Sequence, residues 1–335
     1  MTSSPSLERF DLAVGHATDA EGATGCTVIR GIGKPHRASC AVLGRATGSR
    51  ELALLEPGHL VERVDAILLA GGSAFGLDAA AGVMRWMEAH DRGFPTAAGV
   101  VPIVPGAVLF DLLPLGLPHA RPTPEMGEAA CAAATATGIA EGSVGAGTGL
   151  TVGKVLGRNH AMKGGFGIAV AEGDGCAAAA MVAVNASGDV RDSTGRIIAG
   201  ARVEGGPRLI ENDFADTAAI IARGMKPAER PKFGAAGGHN TTLAVVAVDA
   251  AFTRLELHQL ARAATAAYHR RITPSGTSVD GDIIFALAPM EGPSASLAQA
   301  EMLAIAALEE AIERAVRLAK GRDGVPGLAD EPAGA

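Results

Sequence analysis

The sequence GGHNTTLAVVAV at residues 237–248 joins a glycine loop to an uninterrupted apolar run. Consecutive apolar residues such as Leu243–Val248 are typical of a strand that is buried on both faces. The loop therefore delivers two hydroxyl residues, Thr241 and Thr242, to the start of a rigid strand, which favours a site at that position. A polar loop that simply enters a buried strand explains the same residues, so assigning a site requires further motifs.

Apolar runs of strand length alternate with alanine-rich stretches of helical length on both sides of this strand. Such alternation predicts a layered α/β or α+β fold. The strand candidates, besides Leu243–Val248, are Ala66–Ala70, Gly167–Ala171, Ala177–Val184 and Ile283–Ala288. The helix candidates are Leu77–His90, Glu125–Thr137, Arg254–Arg271 and Leu297–Ala319.

The composition of the 335-residue chain excludes several classes of protein. Hydrophobic residues make up 48% and charged residues 19%, so the chain can bury a core and is not intrinsically disordered. Its length suits about two domains or one large layered domain. A net charge of −7 and an aromatic content of 3% argue against a nucleic-acid partner, which requires positive charge and stacking rings.

No segment of the sequence predicts secretion, a membrane span or a metal centre. The first ten residues are polar, and the longest apolar stretch, Cys176–Val184, is about half as long as a bilayer span. We therefore expect a cytoplasmic protein with no membrane partner. The four cysteines form no C-x-x-C pair and the nine histidines form no H-E-x-x-H pattern, so we expect reduced thiols and neither a metal nor a cofactor.

Two segments differ in composition from the rest of the chain. Residues from about 200 to 240 are charged and contain Pro and Gly, which predicts a flexible, solvent-exposed connection with one short helix near Asp216–Arg223. The residues that follow Gly321 are rich in Gly, Pro, Asp and Ala. We therefore predict a disordered tail over residues 321–335.

Glycine-rich loops at three places resemble known motifs without completing them. The stretch GAGTG at 145–149 lacks the later glycine of a dinucleotide fingerprint, and Gly153-Lys154 lacks the first glycine and the Ser or Thr of a phosphate loop. The stretch GGSAFG at 71–76 lies between a predicted strand and a predicted helix, where some serine hydrolases have their nucleophile. Phe75 replaces the second glycine of that motif, so a structural turn is favoured over Ser73 as nucleophile.

The ends of two other predicted strands carry groups suited to catalysis. Asp280 and Asp282 precede the apolar run Ile283–Ala288, and side chains at i and i+2 of an extended chain point to one face. Paired carboxylates can hold an ammonium and a hydroxyl proton together, whereas a turn with solvated acids is the simpler alternative. Asn185 ends another apolar run, where its amide could donate to a developing oxyanion or only shape a turn.

Together these motifs resemble a family of self-processing hydrolases that includes the L-aminopeptidase/D-amidase/D-esterase enzymes, the β-aminopeptidases and the nylon-oligomer (6-aminohexanoate oligomer) endohydrolase. The resemblance runs from about Leu7 to Leu318. In chain order it is carried by EGATGCTVI at 21–29, LAGGSAFGL at 69–77, GAGTG at 145–149 leading to Gly153-Lys154, NTT at 240–242, and His269-Arg270 followed by DGDIIF at 280–285.

The resemblance implies an α+β fold, a four-layer αββα sandwich, in one domain that two chains form after self-cleavage. Precursors of this family cut themselves before a Ser or Thr, and the matching bond here joins Asn240 to Thr241, which divides the chain into residues 1–240 and 241–335. Thr241 then becomes an N-terminal nucleophile whose freed amine serves as general base to its own hydroxyl. The resemblance places around it Lys154, Asp280 and Asp282, with Asn185 in the oxyanion site and Phe110 at a position where members carry a tyrosine.

These assignments predict a hydrolase of amide bonds in small peptides or ω-amino-acid oligomers, such as nylon oligomers. Its own cleavage activates it, and it uses no cofactor. The expected partners are the substrate, the chain's own cleaved fragment and further copies of the protein, with a tetramer of processed units implied. Two alternatives stay open: an acyltransferase of the ornithine acetyltransferase type, and an uncleaved oligomeric binding protein.

Overall fold

The computed structural model describes residues 5–210, 212–224 and 240–330. These residues contain strands β1–β18 and helices α1–α5, numbered in chain order. None of the helices in this part of the chain is both long and apolar enough to cross a membrane.

A six-stranded sheet forms the centre of the molecule. Its middle strand, β16, runs antiparallel to one neighbour, β13, and parallel to the other, β18. In spatial order the strands are β12 (Gly165–Gly173), β13 (Cys176–Asn185), β16 (Thr241–Val248), β18 (Ile283–Pro289), β3 (His36–Val42) and β5 (Arg63–Val64).

A second, five-stranded sheet packs against the first. It begins with a long antiparallel hairpin from the N-terminal part of the chain. In spatial order its strands are β1 (Leu12–Asp19), β2 (Thr24–Gly31), β6 (Ala66–Ala70), β9 (Gly106–Val108) and β4 (Ser49–Arg50).

The remaining strands form three small sheets around these two. Two of these sheets adjoin the end of β13, since Thr151 of β10 donates its backbone N–H to Asn185 Oδ1 and β14 begins four residues after Asn185. The pairs are β10 (Thr151–Val152) with β11 (Met162–Lys163), and β7 (Phe94–Thr96) with β8 (Gly99–Val101); the third sheet has the order β15 (Ile197–Ala199), β14 (Asp189–Arg191) and β17 (Ile272–Thr273).

Four of the five helices cover the outer faces of the two large sheets. Two of them share an apolar core with the five-stranded sheet, and the other two share one with the six-stranded sheet. The first two are α1 (Ala79–Ala89) and α2 (Pro124–Ala132), the second two are α4 (Arg254–Arg271) and α5 (Leu297–Arg317), and α3 (Thr217–Ala222) is a short separate helix.

Alternate side chains of β16 enter two different apolar cores, one on each face of the six-stranded sheet. Leu243, Val245 and Ala247 enter the core between the two sheets, whereas Ala244 and Val246 enter the core beneath α4 and α5. Because both faces are buried, the strand carries no polar residue after Thr242, and each buried Val adds about 1.5–3 kcal/mol relative to exposure. The order helices, sheet, sheet, helices is an αββα sandwich, which agrees with the predicted α+β fold.

Helix α4 matches its sequence prediction over Arg254–Arg271. Thr253 and Glu256 form the reciprocal capping box at its start, which satisfies two backbone donors. An apolar stripe on one face, from Leu257 to Tyr268, is buried against the six-stranded sheet. The helix therefore lies with its last turn beneath the starts of β16 and β18.

The other predicted elements are present, with differences at some ends. Helix α1 begins at Ala79, since residues 73–78 form a 3₁₀ turn, and α2 ends at Ala132 rather than Thr137. The shortened end of α2 arises because Thr135 exchanges backbone hydrogen bonds with Val14 of β1. Strands β1, β2 and β3 were not predicted, because polar residues interrupt their apolar pattern.

The prediction of a disordered tail is wrong for residues 321–330. Val325 is buried, Arg322 donates to the carbonyl of Ala20, and the carbonyl of Pro326 accepts from the backbone N–H of Lys163. These long-range contacts hold the segment against Ala20 and against Lys163 of β11. Residues 331–335 lie outside the described residues.

The structure also differs from the predicted flexible connection over the first half of that segment. Arg202 is buried and donates to the carbonyls of Asn159, Gly206 and Arg208, so the backbone here folds around a guanidinium. Helix α3 is present where a short helix is predicted. Residues 225–239 lie outside the described residues.

Candidate active site

Strand β13 ends, and strands β16 and β18 begin, at the same end of the six-stranded sheet. Asn185, the last residue of β13, is the antiparallel partner of Thr241, the first residue of β16. On the other side, Asn240 forms a parallel bridge with Asp280, just before β18. The register therefore lines up Asn185, Thr241 and the 280–282 segment side by side.

Thr241 lies against the peptide bond that precedes it. Its side-chain hydroxyl donates to the carbonyl oxygen of Asn240 at 2.7 Å, and the backbone N–H of Gly281 donates to the same oxygen at 2.9 Å. Thr241 is only 4% exposed. The carbonyl that joins Asn240 to Thr241 is thus polarised by two donors in a site with little water.

Gly281 is required at its position because the chain passes so close to Thr241. A Cβ atom on Gly281 would lie 2.7 Å from Thr241 Oγ1 and 2.6 Å from the carbonyl oxygen of Ala46. Both distances are shorter than real Cβ contacts. The glycine of the Asp-Gly-Asp motif therefore allows the backbone N–H to reach the Asn240 carbonyl.

The two acids of the motif are buried, so the alternative of a turn with solvated acids is wrong. Asp280 accepts from the backbone N–H and the hydroxyl of Thr277 at 2.8 and 2.7 Å. Asp282 accepts from the backbone N–H groups of Thr242 at 2.6 Å and Gly276 at 3.0 Å. Burial, together with the neighbouring charge of Asp280, raises the pKa of Asp282 to about 7.

Lys154 reaches the site from a loop that a glycine makes possible. Gly153 has a φ of 68°, and its N–H and that of Lys154 bond to the carbonyls of Gly188 and Ser187. The Lys154 ammonium donates to both the backbone carbonyl and the side-chain oxygen of Asn185, each at 3.0 Å. Burial lowers the pKa of Lys154 to about 7, while the charges of Asp280 and Asp282 act in the opposite direction.

The side-chain amide of Asn185 is held at both ends. Its Oδ1 accepts from Lys154 Nζ at 3.0 Å and from the backbone N–H of Thr151 at 3.2 Å. Its Nδ2 donates to the backbone carbonyl of Phe110 at 3.0 Å. The contact to Phe110 is made by the main chain, so the effect of its ring on an oxyanion pocket stays a prediction.

Six residues from four separate stretches of sequence therefore gather around one strand end: Lys154, Asn185, Asn240, Thr241, Asp280 and Asp282. The geometry shows their proximity, and their catalytic roles stay predictions. The glycine motifs that we set aside form turns instead. In the 71–76 loop, Ser73 donates its backbone N–H to Leu109, and in the 145–149 loop, Gly145 donates its own to Thr18 Oγ1.

Tyr268, the only tyrosine in the chain, was not among the predicted site residues. It is fully buried on α4, and its hydroxyl lies 3.1 Å from the carbonyl of Thr242 and 3.3 Å from that of Ile283. The hydroxyl therefore links the starts of β16 and β18 directly beneath Thr241 and Asp282. Its place on the apolar stripe of α4 indicated burial, but not this polar contact.

The Tyr268 hydroxyl should contribute to stability as well as to the site. Tyr268→Phe keeps the ring and leaves two buried carbonyls without this donor, so we expect a loss of about 1 kcal/mol in the free energy of unfolding. Urea or thermal unfolding of the variant measures it. A variant as stable as the unaltered protein would contradict a structural role for this hydroxyl.

Comparison with known proteins agrees with this geometry. The chain matches the model of peptidase family S58 over residues 11–328. An uncharacterised aminopeptidase of Mycobacterium leprae (strain TN) is 43% identical over 257 residues, which is 73% of this chain and 65% of that protein. The chain thus spans slightly less than two thirds of that relative's length. A 6-aminohexanoate-oligomer endohydrolase of Kocuria sp. (strain KY2) is 30% identical over 286 residues, 83% of this chain and 74% of that enzyme.

Solved structures share the fold. An L-aminopeptidase D-Ala-esterase/amidase from Ochrobactrum anthropi, described as a variant of the Ntn hydrolase fold, has a TM-score of 0.67 at 18% identity and covers 98% of this chain and 92% of its own. A β-aminopeptidase of Burkholderia sp. has a TM-score of 0.65 at 21% identity, with coverages of 98% and 93%. The resemblance seen in the sequence is confirmed, and the chain belongs to peptidase family S58.

Proposed function

We propose that this member of family S58 is an amide-bond hydrolase that cuts itself between Asn240 and Thr241 and then uses Thr241 as its N-terminal nucleophile. The observation that carries the proposal is the buried contact of Thr241 Oγ1 with the carbonyl of its own upstream peptide bond, at 2.7 Å. The family and its aminopeptidase and oligomer-hydrolase members support the hydrolysis of amide bonds in general.

Self-cleavage starts from the hydroxyl of Thr241. Its oxygen attacks the carbonyl carbon of Asn240 as a neighbouring base takes the hydroxyl proton. The C–N bond then breaks, the nitrogen gains a proton to become the free amine of Thr241, and an ester joins Asn240 to Thr241 Oγ1. Water adds to that ester, which releases the Asn240 carboxylate and restores the hydroxyl.

The surroundings of the Asn240 carbonyl suit this reaction. Negative charge develops on its oxygen during attack, and the N–H of Gly281 already donates to that oxygen at 2.9 Å. Lys154 and Asp282 supply the base, because burial brings the pKa of each to about 7. Both groups exchange a proton near neutral pH, where a general base works best.

The processed enzyme uses the same atoms on a substrate. The amine of Thr241, with a reference pKa of roughly 8, takes the proton of its own hydroxyl as that oxygen attacks the substrate amide. Nδ2 of Asn185 donates to the oxyanion while Lys154 and Thr151 hold the other end of the same amide. The leaving amine departs with the proton, and water hydrolyses the acyl-enzyme.

The substrates in this proposal are small peptides or ω-amino-acid oligomers. The supporting observation is that the relatives include aminopeptidases and a 6-aminohexanoate-oligomer endohydrolase. We also propose that processed units assemble into a homo-oligomer, with a tetramer as the expected form. Light scattering of the purified protein measures the assembly.

Substitutions of Thr241 test the cleavage site directly. Thr241→Val keeps the shape of the side chain and removes the hydroxyl, so the chain should stay whole and inactive, whereas Thr241→Ser should still divide into residues 1–240 and 241–335. Intact mass and N-terminal sequencing identify the chains. Two fragments from Thr241→Val with the same N-terminus would overturn the proposal.

The pH dependence of self-cleavage tests whether Lys154 and Asp282 supply the base. Raising the pH through about 7 removes a proton from Lys154 and from Asp282, so the rate should rise with pH across that range. Asp280→Asn should move the midpoint to lower pH, because the charge of Asp280 raises the pKa of both groups. The rate is measured by refolding the uncut chain at each pH, and a midpoint that stays or rises would contradict this assignment.

Gly281→Ala tests the backbone donor. The added methyl would meet Thr241 Oγ1 and the Ala46 carbonyl, so the N–H of residue 281 must move and self-cleavage should slow by about 10- to 100-fold. Gly292→Ala is the matched control, since its Cβ would meet no atom closer than 3.5 Å. Equal cleavage rates in the two variants would exclude Gly281 as a donor.

A further inference from the structure

Two further buried charged residues, Lys163 and Asp111, take no part in the mechanism above. Lys163 is fully buried on β11, and its ammonium donates to the carbonyls of Thr148 and Leu150 at 2.8 and 2.9 Å. Asp111 is 1% exposed and accepts from the hydroxyl of Thr24 at 2.7 Å and from the N–H of Gly72 at 2.6 Å.

Keeping these charges inside the protein is costly. Burial lowers the pKa of Lys163 to about 7 and raises that of Asp111 to about 6, and each charge partly offsets the shift of the other. Apolar residues of similar size often stabilise a core as well as a buried charged pair does. Stability alone therefore does not account for the two buried charges.

Lys163 acts on the segment that binds the Oδ1 end of Asn185. The two carbonyls that it holds, those of Thr148 and Leu150, lie three residues and one residue before Thr151, whose N–H donates to Asn185 Oδ1. Three residues further along, Lys154 donates to the same oxygen. Lys163 thus fixes the backbone from which both donors to Oδ1 project.

Asp111 acts on the opposite end of the same amide. Its carboxylate is tied to the five-stranded sheet through Thr24 and to the 71–76 loop through Gly72. The residue before it is Phe110, whose carbonyl accepts from Asn185 Nδ2 at 3.0 Å. Asp111 thus fixes the neighbouring carbonyl of Phe110, which accepts from Nδ2.

We propose that Lys163 and Asp111 are positioning residues that set the orientation of the Asn185 side chain from its two ends. A flipped amide would present Nδ2 to two donors, Lys154 Nζ and the Thr151 N–H, and Oδ1 to the carbonyl of Phe110, so the held orientation is the one that suits these three partners. The inference rests on the proposed function in so far as Asn185 is the oxyanion donor.

The first test is kinetic and uses the full chain. Lys163→Met removes the charge and the donors but keeps the length of the side chain, and Asp111→Asn keeps the shape of the acid. Each should lower kcat for a short peptide or a 6-aminohexanoate oligomer by about tenfold or more with little change in KM, because loss of an oxyanion donor costs about 10²–10³ in kcat. Lys34→Met, at an exposed lysine, should leave kcat unchanged.

A double-variant cycle separates positioning from general damage. If Lys163 acts through Asn185, adding Lys163→Met to Asn185→Ala should cost less than about threefold more, because the group being positioned is already absent. The same large loss of kcat in both backgrounds would overturn the proposal. Asp111→Asn goes through the same cycle, so a Lys163→Met chain that fails to fold does not end the test.

The second test needs no turnover and separates this inference from the proposed function. The chain has four asparagines, so labelling Asn with ¹⁵N gives few side-chain amide signals, and Asn185→Ala identifies the one of interest. We expect its hydrogen exchange to be slow in the unaltered protein and at least tenfold faster in Lys163→Met and Asp111→Asn. Unchanged exchange in both would overturn the positioning role, whereas an inactive or uncut chain with the expected exchange would count only against the proposed function.

Discussion

Strand β16 is hydrogen-bonded to antiparallel β13 on one side and to parallel β18 on the other, and the rest of the site depends on this pairing. The register places Asn185 opposite Thr241 and the Asp-Gly-Asp motif on the other flank. A slip of one residue would turn every side chain of β16 to the other face. Both faces of the strand are filled with apolar residues, so a slip would be opposed only through the different sizes of the side chains that exchange faces. The hydroxyl of Tyr268 adds a polar link between the starts of β16 and β18.

The apolar strands also determine the chemistry of the groups at their ends. Carboxylate and ammonium groups that lie in this poorly hydrated region are driven towards their neutral forms, which brings the pKa values of Lys154 and Asp282 near neutrality. The charges remain tolerable because backbone N–H and carbonyl groups surround them. The sheet therefore serves as a platform for the site and as the medium that tunes it.

Much of this architecture can be read from the sequence. The runs that became β6, β13, β16 and β18, and the stretches that became α4 and α5, carry strong periodic patterns, so their positions are predictable to within a few residues. The hairpin of β1 and β2 is not, because His16, Thr18 and Thr27 break its apolar pattern. Those side chains are satisfied by distant groups, such as the N–H groups of the 145–149 loop, which no local pattern contains.

By itself the sequence determined the residue types at the ends of three apolar runs, and with them the family and the candidate residues of the site. Tertiary structure decided which of these groups touch. The bond of Lys154 to Asn185, that of Gly281 to the Asn240 carbonyl and that of Lys163 to the Thr148 carbonyl all join segments separated in the chain. The physical reason is that strand register and burial, which involve the whole sandwich at once, set those distances and the charge states that follow from them.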